Sequence, residues 1–275
     1  MELKQNPFSL YDFLGYFTPG AIFFYGCMAI FAHTQPNTKV LDFITFDRSE
    51  IYIPFVLLSY TAGHLLSFTS SIFIEKYSEW TIGYPSKYLL GFKAEGYFSG
   101  NIFVRLLVAL LLAPISIFEL LLNVTINYRN TYAKPLDVLL QNIIWSKGNA
   151  LIKDHSGQNE PPEGYSAASA NFFLFFYHYV VENAPNHFAK MQNYVALYGF
   201  LRTLTFISVL FFWSLIFHVV DGYFSIKLGG FLLLVSATLS MVFYLAFVKF
   251  HRRFSLEVLM ALTAIYEIGN SRKSK

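Results

Sequence analysis

Charge is what this chain has least of. Asp, Glu, Lys and Arg make up 13% of its 275 residues, while apolar residues reach 55% and mean hydropathy is +0.45. Soluble domains carry about 25% charged residues, so an ordinary soluble enzyme is excluded and a membrane protein is expected. Cysteine is almost missing: Cys27 stands alone, which rules out an internal disulfide and a cysteine-based zinc or iron–sulfur site within one chain. The net charge of +3 and pI near 8.7 are too weak for a nucleic-acid surface, and no direct DNA binding is expected.

Catalytic signatures are absent as well. The chain contains no H-E-x-x-H, G-x-S-x-G, G-x-G-x-x-G or G-x-x-x-x-G-K-[ST]. His178 and Glu182 share a helix face, but without such a frame they do not make an enzyme, and no catalytic residue, metal or cofactor is expected. The opening MELKQNPFSLYDF has no basic run leading into an apolar core and a small-residue cleavage site, so no cleaved signal peptide is expected. Tyr11 and Asp12 instead suit a helix lying on the membrane before it turns in at Pro19–Gly20.

What the chain has is aromatic and aliphatic bulk, with 31 Phe and 19 Tyr. A spanning helix needs about 20 mostly apolar residues, and four windows free of internal charge satisfy this: 13–38, 51–74, 203–221, which Asp221 closes, and 228–248. The short DGYFSIK joins the last two as an antiparallel pair. A fifth segment, RLLVALLLAPISIFELLLN over 105–123, is interrupted by Pro114 and bounded by Arg105 and Glu119.

Loop charge chooses between the two readings. With four spans, only Lys39, Arg48 and Lys227 lie outside and 17 of the 20 Lys and Arg lie inside. With five, Lys4, Lys76, Lys87, Lys93 and Lys227 are outside. The positive-inside rule favours four spans with both termini cytoplasmic, leaving 102–122 as a re-entrant, surface-lying or domain-core helix.

The expected architecture is therefore an all-α membrane protein: four transmembrane helices as two hairpins flanking a helical cytoplasmic module, with five spans (102–122 also spanning) as the alternative. Its parts are 1–74, a leading helix and first hairpin; 75–202, the module; 203–248, the second hairpin; and 249–275, a basic cluster and amphipathic tail. Within the module, Leu136, Leu139, Leu140, Ile143 and Ile144 mark one helix face. HSGQNEPPEGYS over 155–166 reads as a flexible loop, and Pro185 separates two helices. Phe254, Val258, Ala261, Leu262 and Ile265 form the apolar side of the tail, which needs a partner.

Candidate functional positions follow from chemistry that is costly in lipid. Ser59, Gly63, Ser67 and Ser71 repeat every fourth residue, a row suited to close helix packing in the same chain or a second copy, or to lining a pore. His64, with Tyr60 one turn before it, is a titratable group deep in a span: a proton or ion path, or a neutral imidazole bonded to a neighbouring helix. His33 and His218 lie at outer span ends, where no metal is required to explain them. Arg202, on one face with Tyr194 and Tyr198, is expected at the lipid headgroups. Lys249, His251, Arg252 and Arg253 form a juxtamembrane cluster that suits anionic lipid or a phosphate-bearing ligand.

SLYDFLGYFTPG (9–20), the stretch 177–202 with its P-x-x-F and ALYGFLR elements, and KFHRRFSLEVLMA (249–261) resemble parts of a group of small uncharacterised bacterial multi-span membrane proteins. Some members of that group act as membrane effectors of antiphage defence, encoded beside nucleotide-producing or reverse-transcriptase genes. The resemblance implies an inner-membrane effector that self-associates and disrupts or leaks the membrane on a cytoplasmic signal, a protein or a nucleotide-derived trigger. A non-pore scaffold or sensor recruiting a soluble partner through its Tyr-rich helices, or an accessory transporter subunit, are the alternatives.

Overall fold

The computed structural model describes residues 12–34, 49–156 and 172–267. The leading segment before Asp12, the loop carrying Lys39 and Arg48, most of the 155–166 loop and the end of the tail lie outside the described residues. Everything described is helix or short connection, with no strand among the described residues.

A π-helical turn, Phe13–Phe17, leads into α1, Thr18–Thr34. Helix α2, Ser49–Ser70, passes into a second π-helical turn, Ser71–Glu75, and then α3, Lys76–Thr81. A short α4, Pro85–Tyr88, precedes a broken pair, α5 (Ile102–Leu111) and α6 (Ala113–Ile126). Next come α7, Tyr128–Tyr132; α8, Val138–Ser156; and α9, Phe172–Asn183. Two long helices finish the chain: α10, Pro185–Val220, and α11, Ile226–Ile265.

Among the described residues, four helical stretches are long and apolar enough to cross a membrane: Phe13–Thr34, Tyr52–Tyr88, Pro185–Val220 and Ile226–Ile265. The last three run to 37, 36 and 40 residues, well beyond the roughly 20 a bilayer core requires. Expected window ends such as Thr203 and Val248 therefore fall inside continuous helices. The cause is local: no helix-breaking residue separates ALYGFLR from the third apolar window, or the fourth from KFHRRF.

The chain divides into two compact units: Met1–Tyr77, Gly100–Ile126 and Ala196–Phe247 form one, while Ser78–Ser99, Asn127–Val195 and Val248–Lys275 form the other. The region 75–202, expected as one module, is thus shared between them.

In the first unit, α1 and α2 approach at backbone distance. A Cβ on Gly20 would lie 1.8 Å from the Ser59 carbonyl oxygen, and one on Gly63 would lie 1.8 Å from that of Tyr16. Only glycine permits this spacing. Helix α1 also meets α10, with Phe23 and Phe211 stacked at 6.0 Å. Helices α10 and α11 are joined by a tight turn in which Gly222 adopts φ +79°, Tyr223 N–H bonds the His218 carbonyl and Gly222 N–H bonds that of Val219. This is a Schellman cap, which satisfies the last carbonyls of α10.

The second unit is built on Leu89, Tyr128, Ile144, Leu151, Phe176 and Val258, all fully buried. The tail face finds its partner here: Phe254 meets Phe173 and Tyr177 at 6.0 and 5.9 Å, and Val258, Ala261 and Leu262 are buried. The face expected of α8 is different. Ile144 is buried, but Leu139 and Ile143 are exposed, and the inward side runs through Ile144, Gly148 and Leu151. Gly148 sets that choice, because a Cβ there would fall 2.5 Å from the Phe176 ring.

Candidate functional site: a charged cluster among span-length helices

The small-residue row of α2 separates into two sites. Ser59 and Gly63 are buried against the chain's own first helix, so in this conformation that surface is not available to a second copy. Further along, Ser71 bonds only its own helix, Oγ to the Phe68 carbonyl at 2.6 Å, whereas Ser70 is fully buried. A four-residue step turns 40° past a full circle in an α-helix, so Ser71 stands about 120° from Ser59, while Ser70 returns to within about 20°. The buried serine at this level is Ser70, which the period-four row does not include.

Ser70 belongs to a polar cluster centred on Arg202. The Arg202 Nε donates to Ser70 Oγ at 3.2 Å, and Nη2 donates to the Ser67 carbonyl and Oγ at 3.3 and 3.5 Å. Nη1 donates to Glu75 Oε2 in an ion pair. Thr203 Oγ1 lies 3.5 Å from Ser70 Oγ. The Arg202 side chain is only 12% exposed, so its guanidinium turns into the helix bundle rather than outward to headgroups. The Glu75 carboxylate and the Ser67 carbonyl supply acceptors that lipid could not, which is why inward placement wins.

Glu75 ends the π-helical turn Ser71–Glu75. One extra residue in that turn shifts the register of everything after it. Two residues on, Tyr77 donates its hydroxyl to Glu119 Oε2 at 2.6 Å, and Glu119 is 1% exposed. The acid that spoiled the fifth apolar window is therefore folded inward and hydrogen-bonded.

His64 stacks on Tyr16 with centroids 3.8 Å apart and meets Tyr60 edge-on at 4.6 Å. It is exposed on the surface of the chain, with these two rings from the first π-helical turn and α2 beside it. His33 stacks on Phe224 at 4.4 Å, and His218 approaches the same ring at 6.2 Å while its Nδ1 lies 2.7 Å from the Ser214 carbonyl. In the second unit, Arg252 donates to the Lys134 carbonyl at 3.2 Å, while Lys249 and Arg253 are exposed. The basic run is thus part structural and part open to an anionic partner. His178 and Glu182 are both exposed on α9.

Two groupings were invisible to spacing. Along α10 and α11, Thr203, Thr205, Ser208, Ser236 and Ser240 are buried, and Ser236 Oγ donates to the Ser208 carbonyl at 2.8 Å. Their hydroxyls were hidden in strongly apolar windows. In the second unit, Glu257 meets His187 at 2.7 Å and Lys190 at 3.8 Å, and Tyr266 bonds Asp154. Burial pushes the Tyr266 hydroxyl up, helped by the Asp154 carboxylate. Partners 70 and 112 residues apart leave no local signature.

The class defined by these observations is an all-helical fold over the described residues, with four helices there apolar enough to span a membrane and a part-buried arginine–glutamate cluster joining the end of α2 to α10. It matches no protein-family model, no curated protein and no solved structure.

Proposed function

We propose that this chain is a bacterial inner-membrane effector, with both termini cytoplasmic, that self-associates and perturbs the membrane when a cytoplasmic signal releases its packing, in antiphage defence. One observation carries the reading: the Arg202–Glu75 pair, with Ser67 and Ser70, inside the unit that holds the apolar helices. Charges are costly in such surroundings and mark ion paths or switches. Here one pair ties α10 to the end of α2, so its rupture would free two helices at once. The resemblance of 9–20, 177–202 and 249–261 to membrane effectors supplies the biological setting.

Production in bacterial cells under a potential-sensitive dye tests this. The effector reading expects depolarisation on strong induction, and at lower protein levels for Arg202→Gln, which leaves Glu75 without its guanidinium. Full potential at high membrane levels of both chains would overturn it. A non-pore scaffold is the second reading, favoured by Val138 and Leu139, which stand exposed on α8. It expects that result, with a soluble partner lost on Leu139→Glu.

A further inference from the structure

We infer that the α5–α6 pair is a re-entrant element whose break lies inside the hydrocarbon of the membrane, with lipid acyl chains as the partner of its exposed surface. The inference is independent of any effector role. Helix α5 has 10 residues, α6 has 14, and they are bent by 100°. At 1.5 Å per residue the legs are about 15 and 21 Å long, and that bend leaves their outer ends about 24 Å apart, short of the roughly 30 Å hydrocarbon core. The pair cannot cross however it is oriented.

A surface-lying helix needs a polar face toward water, and this pair has none. Its only charged residues are Arg105 and Glu119, and Glu119 is buried. Outward point Phe103, 81% exposed, and Val124, 80%, together with Leu107, Leu110, Ile117 and Leu120. These are directions that a soluble or interfacial helix would give to charge.

The break itself supplies the second argument. Irregular backbone survives at membrane depth only if the protein satisfies it. The Val108 carbonyl accepts from Leu112 N–H at 2.9 Å, and that N–H also leans on the Leu110 carbonyl. The Ala109 carbonyl accepts from Ser116 Oγ at 2.8 Å, and the Leu111 carbonyl from Trp213 Nε1 at 2.7 Å. The Leu112 carbonyl accepts from Ile115 and Ser116 N–H, and Pro114 has no N–H to place. In water these groups would need no such arrangement.

Depth agrees. Trp213 lies 11 residues beyond Arg202 on α10, about 16 Å along the axis. Glu119, on the return leg, is back at Tyr77, two residues past the Glu75 that pairs with Arg202. The chain thus enters with α5, turns near mid-bilayer at Leu111–Leu112 and comes back with α6.

Single cysteines in a Cys27→Ser background test this in sealed vesicles of both orientations. Ser99→Cys and Asn130→Cys are expected to react with an impermeant maleimide from the same face. A fluorophore on Leu110→Cys is expected to show a blue-shifted emission that acyl-chain-doxyl lipid quenches. Labelling from opposite faces would overturn the inference in favour of a fifth span. Same-face labelling with a water-exposed or unquenched Leu110 probe would overturn it in favour of a surface or domain-core helix.

Discussion

The two units differ in how far their hydroxyls and charges reach. In the first, hydroxyls fold back on their own helices: Thr61 to Leu57, Thr69 to Leu65, Thr205 to Leu201 and Ser208 to Leu204, each within 2.7–2.9 Å of the carbonyl one turn earlier. In the second, polar groups reach between helices: Lys147 Nζ to the Thr263 carbonyl at 2.5 Å, His187 to Glu257, and Tyr266 to Asp154. Self-contained bonding leaves an apolar outer surface, as hydrocarbon demands. Bridging bonds fix helices to one another. Bonds between helices occur in the first unit as well, from Tyr77 to Glu119, from Trp213 to the Leu111 carbonyl, from Ser236 to the Ser208 carbonyl and from Arg202 to Glu75, and the Arg202 pair carries the largest expected effect.

Removing one partner of a fully buried ion pair costs about 3–5 kcal/mol, because the other charge stays behind, and the part-buried Arg202–Glu75 pair falls at the low end. Arg202→Leu and Glu75→Leu should each lower stability by that order in denaturant titrations in micelles, with the double variant recovering most of the loss. If the singles are silent, the pair is ornamental and the contrast between the units weakens. Gly63→Ala comes next: its methyl would meet the Tyr16 carbonyl, and overpacking of this kind costs about 1–3 kcal/mol. The same measurement should show it, whereas Gly230→Ala, with open space around it, should be near neutral.

Trp213→Phe keeps an aromatic ring but loses the pyrrole part of the indole and with it the donor to the Leu111 carbonyl, of which the donor alone is worth about 1–3 kcal/mol if no water can replace it. A much smaller loss would mean that the break is wet. The smallest effect belongs to the second unit. Tyr266 is held protonated by burial and by Asp154. Its contribution is complete below about pH 10, the ordinary tyrosine value, and disappears as pH rises through the higher folded-state value. Thermal melts of the whole protein should therefore fall more steeply above pH 10 for the native chain than for Tyr266→Phe, which should cost about 1 kcal/mol at neutral pH.

The apolar windows were readable because lipid tolerates few charges, so the four long helices stand out in composition alone. The tail face was equally plain, since Phe254, Val258, Ala261 and Leu262 keep helical spacing within one element. The Arg202 cluster was not readable: Glu75 is 127 residues away, and nothing local distinguishes an arginine that snorkels from one that turns inward. The serine row misled because a period of four is not the helix period, and the α8 face misled because one glycine outweighed three leucines. Glu119 looked like an obstacle to membrane insertion until Tyr77 supplied its partner.

The π-helical turn at Ser71–Glu75 has a consequence for how this chain tolerates indels. The turn holds one residue more than an α-helical turn, so deleting one of its first four residues would restore ordinary winding and leave the helix beyond it facing much as before. Glu75 would keep its place at Arg202 and Tyr77 its place at Glu119, whereas a deletion in the α-helical stretch before the turn would rotate both away by about 100°. A one-codon loss is therefore absorbed at this turn and disruptive just upstream of it, although hydropathy is almost untouched in either case.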